Sequence, residues 1–99
     1  MNIYRDDFNK LKRFISAKSS GYIDESDIND EIRLKGLVLE IPIRMGSVIK
    51  YVSIEYSYGS WFLDRPTRYG NNSSTRIIDI EIIKILDRLH AKLEELREE

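Results

Sequence analysis

Ninety-nine residues, 33% charged and 41% hydrophobic with a net charge of −1, leave room for one domain with a real apolar core. No apolar run approaches the ~20 residues of a membrane span, no basic head precedes an apolar stretch at the start, and 15 Ile and 9 Leu argue against disorder. The absence of Cys excludes disulfides, thiolate metal sites and cysteine nucleophiles, and suits a reducing intracellular compartment.

Residues 4–18 carry Tyr4, Phe8, Leu11 and Ile15 at helical spacing with Phe14 beside them. Asp6 and Asp7 lie in the first turn and Lys18 in the last, which suits the helix dipole, and Ser19-Ser20-Gly21 ends the element. Residues 24–31 form a polar connection with room for one helical turn. From 37 to 45 the pattern alternates: Leu37, Leu39, Ile41, Ile43 and Met45 share one parity, Val38, Glu40, Pro42 and Arg44 the other, as in a half-buried strand. Ile32 and Leu34 are in the opposite phase, and a bulge at Gly36 accounts for the flip. Pro42 has no N–H to give, so its nitrogen side should face a strand edge or solvent.

Gly46-Ser47 fits a two-residue hairpin turn into a strand over 48–58. That turn sets Met45 opposite Val48, Ile43 opposite Lys50, Ile41 opposite Val52, Leu39 opposite Ile54 and Leu37 opposite Tyr56. A one-residue slip destroys the match, so the register is specified. A turn at Gly59-Ser60 leads to a third strand, 61–63, whose Trp61 and Leu63 join Tyr56 and Tyr58 on the core face. Residues 64–76 read as one long loop, rich in Pro, Gly, Asn and Ser. Ser74 or Thr75 caps a final helix over 76–97. Its opening, from Ile77 to Ile85, is apolar almost all round and expected to be buried, while Ile82, Leu86, Leu89, Leu93 and Leu96 form a heptad seam. The predicted order is α-β-β-β-α: an α+β two-layer sandwich in which a three-stranded antiparallel meander carries both helices on one face.

Motifs that carry chemistry are few. His90, the one histidine, sits three residues after Asp87 and four before Glu94, the spacing of a surface ion pair, and no nucleophile elbow accompanies it. Asp24, Glu25, Asp27, Asp30 and Glu31 lack the alternating ligands and mid-loop Gly of a calcium loop and read as a solvated connection. The five glycines are isolated from one another and form no phosphate-cradling pattern. The expectation is a non-enzymatic protein with no catalytic residue, metal or cofactor.

Surfaces are the stronger signal. Val38, Pro42, Ile49, Tyr51 and Phe62 share the sheet face opposite the helices, and together they are more apolar than a solvated face requires. With Leu89, Leu93 and Leu96 of the seam they offer two surfaces for a homodimer. Charge alternates along the chain, +3 over 1–20, −5 over 21–31, +4 over 32–76 and −3 over 77–99. The basic stretch 64–76 pairs most simply with the acidic segment 24–31 or with the acidic last helix. The alternative is nucleic-acid binding through Arg65, Arg68, Tyr69 and Arg76, the arginines gripping phosphates and the tyrosine stacking a base.

The α-β-β-β-α order resembles the double-stranded RNA-binding domain. That family places basic residues at the start of its last helix, where this chain has Arg76-Ile77-Ile78-Asp79-Ile80-Glu81, so no binding residue is carried over. Over its whole length the chain resembles small proteins of lipothrixviruses and rudiviruses, the filamentous and rod-shaped viruses of hyperthermophilic archaea. The carriers are 15 Ile, the absence of Cys and Gln, and the run Ile77-Ile78-Asp79-Ile80-Glu81-Ile82-Ile83. At high temperature amides and thiols are chemically labile and ion pairs gain value, which fits that composition. The resemblance implies a heat-stable viral product in the host cytoplasm and supplies no site residues. The two apolar surfaces, and not the resemblance, carry the leading expectation: a homodimeric binding module that acts on a host or viral macromolecule, with no membrane contact.

Overall fold

The computed structural model describes residues 3–97, and the side chains of residues 5–95. Helix α1 (Ile3–Lys18) is followed by a 3-10 turn (Glu25–Asp27) and five strands: β1 (Arg33–Lys35), β2 (Val38–Met45), β3 (Val48–Ser57), β4 (Ser60–Pro66) and β5 (Asn72–Arg76). Helix α2 (Ile80–Arg97) closes the chain. The strands lie in chain order in one antiparallel sheet. No helix among the described residues is long and apolar enough to cross a membrane.

The β2–β3 hairpin has the predicted register, pairing Met45 with Val48, Ile43 with Lys50, Ile41 with Val52 and Leu39 with Ile54. Gly46 opens the turn at φ +68°, a conformation that glycine adopts without steric cost. Leu39, Ile41, Ile43, Val52 and Ile54 are wholly buried, and the same parity continues into Trp61 and Leu63 of β4. Phe8, Leu11 and Ile15 of α1 and Ile82, Ile85, Leu86 and Leu89 of α2 complete one core with them, so both helices cover this face. Asp7 fastens the helices to each other: it is buried and accepts two hydrogen bonds of 2.9 Å from the Arg88 guanidinium, which raise the arginine's pKa. Pro42 behaves as expected. Its carbonyl, on the same side as its nitrogen, accepts from the Asn29 N–H at 2.9 Å where β1 has already ended.

The sheet has five strands where the alternation predicts three. Gly36-Leu37 is a hairpin turn and not a bulge: β1 pairs back on β2 with Lys35 opposite Val38, and a two-residue reversal flips the apolar phase just as a bulge does. Leu37 therefore leaves the core face and is 57% exposed, although its carbonyl still accepts the Tyr56 N–H. The predicted 64–76 loop is a second extra hairpin, with Leu63 opposite Thr75 and Arg65 opposite Ser73. Strand β5, Asn-Ser-Ser-Thr-Arg, sits at the sheet edge and has no apolar side chain, so it leaves no hydrophobic period to read.

Two more expectations are corrected. The β3–β4 turn is Tyr58-Gly59, both residues in the left-handed region (φ +52° and +77°), which throws Tyr58 fully into solvent. Tyr56 stays on the core side, edge-on to Trp61 at 5.2 Å. Helix α2 starts at Ile80, because Asp79, and neither Ser74 nor Thr75, is its cap: Oδ1 accepts the N–H groups of Glu81 (3.0 Å) and Ile82 (3.2 Å). Ile77 is buried and extends the sheet through its N–H to the Trp61 carbonyl (2.8 Å), while Ile78 and Ile80 are exposed.

Leu39→Ala or Ile41→Ala should lower stability by about 2–5 kcal/mol, whereas Leu37→Ala should stay within about 0.5 kcal/mol. Tyr58→Asn, which suits a positive φ, should raise stability by about 1 kcal/mol. Urea denaturation midpoints at an unchanged m-value check all four.

Candidate functional site

A cleft of about 400 Å³ lies between the end of α1 and the β4–β5 hairpin. One wall begins where α1 stops. Ser20 takes φ +55°, the Ser20 N–H donates to the Ala17 carbonyl and the Gly21 N–H to the Ser16 carbonyl, both at 3.1 Å, so the helix's last carbonyls are satisfied internally. Buried Ser19 turns the chain, its Oγ accepting the Ile23 N–H at 2.9 Å, and this sets Tyr22 into the cleft.

The opposite wall comes from the hairpin. Arg65 has the parity of Trp61 and Leu63 but lies beyond the buried core, so it reaches the cleft from the helix-covered face. Arg68 and Tyr69 sit in a turn held by the Thr67 N–H to the Asn71 carbonyl (2.8 Å) and the Gly70 N–H to the Thr67 carbonyl (3.2 Å). The Thr67 hydroxyl donates to the Asn71 carbonyl at 3.0 Å and accepts the Tyr69 N–H at 3.3 Å. The Arg68 guanidinium lies 5.6 Å from the centre of the Tyr22 ring, a cation–π arrangement. The cleft lining contains two arginines, two tyrosines, serines, a threonine and asparagines, and no carboxylate.

The fold thus brings together Arg65, Arg68 and Tyr69 and separates Arg76, which pairs with Phe62 on the other face of the sheet. Among the described residues no carboxylate pairs with Arg65 or Arg68. The acidic segment is engaged elsewhere, Asp30 with Lys12 and Asp24 with Ser26, whose backbone N–H and hydroxyl hold the Asp24 carboxyl below its usual range. Tyr22, Thr67, Asn71 and Asn72 carry no sequence signal for this site; Tyr22 in particular lies far away in the chain and is delivered by the packing of α1.

The expected apolar contacts are distributed differently. On the outer face a polar row, Arg33–Glu40–Ser53–Asp64–Ser74, crosses all five strands. It divides half-buried Val38 and Phe62 from Pro42, Ile49 and Tyr51, so the five do not form one patch. Arg33 also lies over the Tyr51 ring at 5.3 Å while pairing with Glu40 at 3.0 Å. Leu89 is a core residue and is not available to a second molecule, because the heptad stripe faces the chain's own sheet; Leu93 packs partly against the same core. The side chain of Leu96 lies outside the described residues.

His90 makes no hydrogen bond through Nε2, which stands 3.9 Å from Glu94 and is shielded from solvent, and its ring meets Trp61 edge-on at 5.9 Å. Asp87 serves Trp61 instead, accepting the indole N–H at 3.0 Å. Among the described residues no three His, Asp or Glu side chains gather to hold a metal ion.

No family model matches the chain, and no curated protein or solved structure shows significant similarity to it.

Asp87→Ala leaves a buried indole N–H without an acceptor and should lower stability by about 1–3 kcal/mol in thermal or urea denaturation.

Proposed function

We propose that the protein is a non-enzymatic nucleic-acid-binding module and that the cleft between α1 and the β4–β5 hairpin takes the phosphate chain. One observation carries this reading. Two guanidinium groups line a concave polar site with no carboxylate beside them, in a chain whose 17 acids outnumber its 16 lysines and arginines. An unpaired guanidinium keeps its fork of donors free for phosphate oxygens, and the hydroxyls and amides around it are ordinary phosphate partners. With a net charge of −1 the attraction is local to this patch and does not extend over the whole surface. Arg76, on the opposite face, has no part in it.

Anisotropy of a labelled oligonucleotide across a salt series tests the proposal. Affinity should fall as salt rises, and Arg65→Ala and Arg68→Ala should each reduce the slope of log K against log salt by about 0.7–0.9, with Arg76→Ala leaving it unchanged. Absence of binding at low salt overturns the reading.

A second reading, self-association, rests on the exposure of Ile49 (52%) and Tyr51 (45%) on the outer face. Light scattering at high micromolar concentration decides it. A mass of 11.7 kDa is the monomer, and a dimer that Tyr51→Glu dissociates is the result in its favour.

A further inference from the structure

We infer that the cleft is shaped for one unpaired nucleotide, with Arg65 and Arg68 on its phosphate and Tyr69 under its base, so that the protein selects single-stranded over duplex nucleic acid; this rests on the nucleic-acid reading above. A duplex offers phosphates on a convex rod and keeps its bases stacked inside, where grooves admit an inserted helix or ribbon. The site here is an open concavity, and its 400 Å³ is at the small-ligand end of pocket sizes, room for a single nucleotide unit. The wall facing the hairpin is Ser19, Ser20 and Tyr22, just past the end of α1.

Tyr69 is 86% exposed at the tip of the hairpin beside the two arginines, and its ring meets no other ring or cation among the described residues. Free aromatic faces next to a cationic groove are what unstacked bases use, and every base has such a face. Hydrogen bonds among Thr67, Tyr69, Gly70 and Asn71 fix the backbone of the turn, so the main chain at Tyr69 loses little freedom on binding. Tyr22 is a positioning residue. Its ring lies 5.6 Å from the Arg68 guanidinium carbon and gives that cation a surface to rest on at the edge of the cleft. The Asn71 and Asn72 amides line the same cleft; the Asn71 amide oxygen accepts from the Thr67 hydroxyl, while the Asn72 amide offers donors and an acceptor to a base edge.

The test compares labelled oligo-dT, oligo-U and a mixed-sequence duplex on the full chain. Tighter binding of either single strand than of the duplex is expected. Tyr69→Ala should weaken single-strand binding by roughly 5- to 100-fold without changing the salt slope, Tyr69→Phe should retain it, and duplex affinity should not move. Tyr22→Ala should weaken single-strand binding and Tyr22→Phe restore it. The melting temperature of the Tyr69 variants, altered only at an exposed turn, should match that of the parent. Equal binding of duplex and single strand, or indifference to Tyr69→Ala, overturns the inference while the nucleic-acid reading stands; binding of none of the three probes overturns both.

Discussion

The parity imposed at Gly46-Ser47 governs the molecule. A strand has a side-chain period of two, so once Ile41 stands opposite Val52 the face of every residue in β2 and β3 is decided, and pairing passes that decision to β4 and β5. The buried face collects Leu39, Ile41, Ile43, Val52, Ile54, Trp61 and Leu63, and both helices must cover it. The same parity allocates the arginines of the last hairpin. Arg65 follows Trp61 and Leu63 onto the helix side, past the end of the packed core, while Arg76 follows Phe62 to the outside. The cleft's charge is thus a product of strand alternation as much as of composition.

The helices supply the other half of the cleft. Asp7 is buried, and a carboxylate in that position is tolerable only with its hydrogen-bonding capacity met, which the two Arg88 N–H donors do. This clasp, with Lys10 and Glu81 paired at 3.0 Å, holds α1 against α2. The place where α1 stops then becomes a matter of local sequence. Ser19-Ser20-Gly21 ends it with its carbonyls satisfied, and Tyr22 comes to lie beneath Arg68.

What the sequence discloses depends on whether a segment has an apolar face to disclose. Helix α1 and the β2–β3 hairpin are legible because Phe8, Leu11 and Ile15 keep a helical period and Leu39 to Met45 a strand period. Strand β5 buries nothing through an apolar side chain, and β1 is three residues long, so both escape. The isoleucines at 77–85 overstate the start of α2, since Ile78 and Ile80 are in water and the cap is Asp79. A heptad stripe facing a partner helix and one facing its own sheet have the same spacing, which is why Leu89 reads as a contact and proves to be core. Of the cleft, Arg65, Arg68 and Tyr69 are visible from the composition of 64–76. Arg76 is grouped with them only as long as that stretch counts as one loop, and Tyr22 joins through tertiary packing alone.

Because each strand pairs only with its neighbours in sequence, the sheet assembles through short reversals whose closure entropy is small, the circumstance that favours rapid folding. The Asp7–Arg88 contact is the opposite case: it joins residues 81 apart and closes a loop that spans most of the chain. Closing that loop costs more chain entropy than any of the sheet's reversals. Since one rim of the cleft lies at the end of that helix and the other on the β4–β5 hairpin, the pocket joins a wall placed by a long-range contact to a wall placed by local pairing.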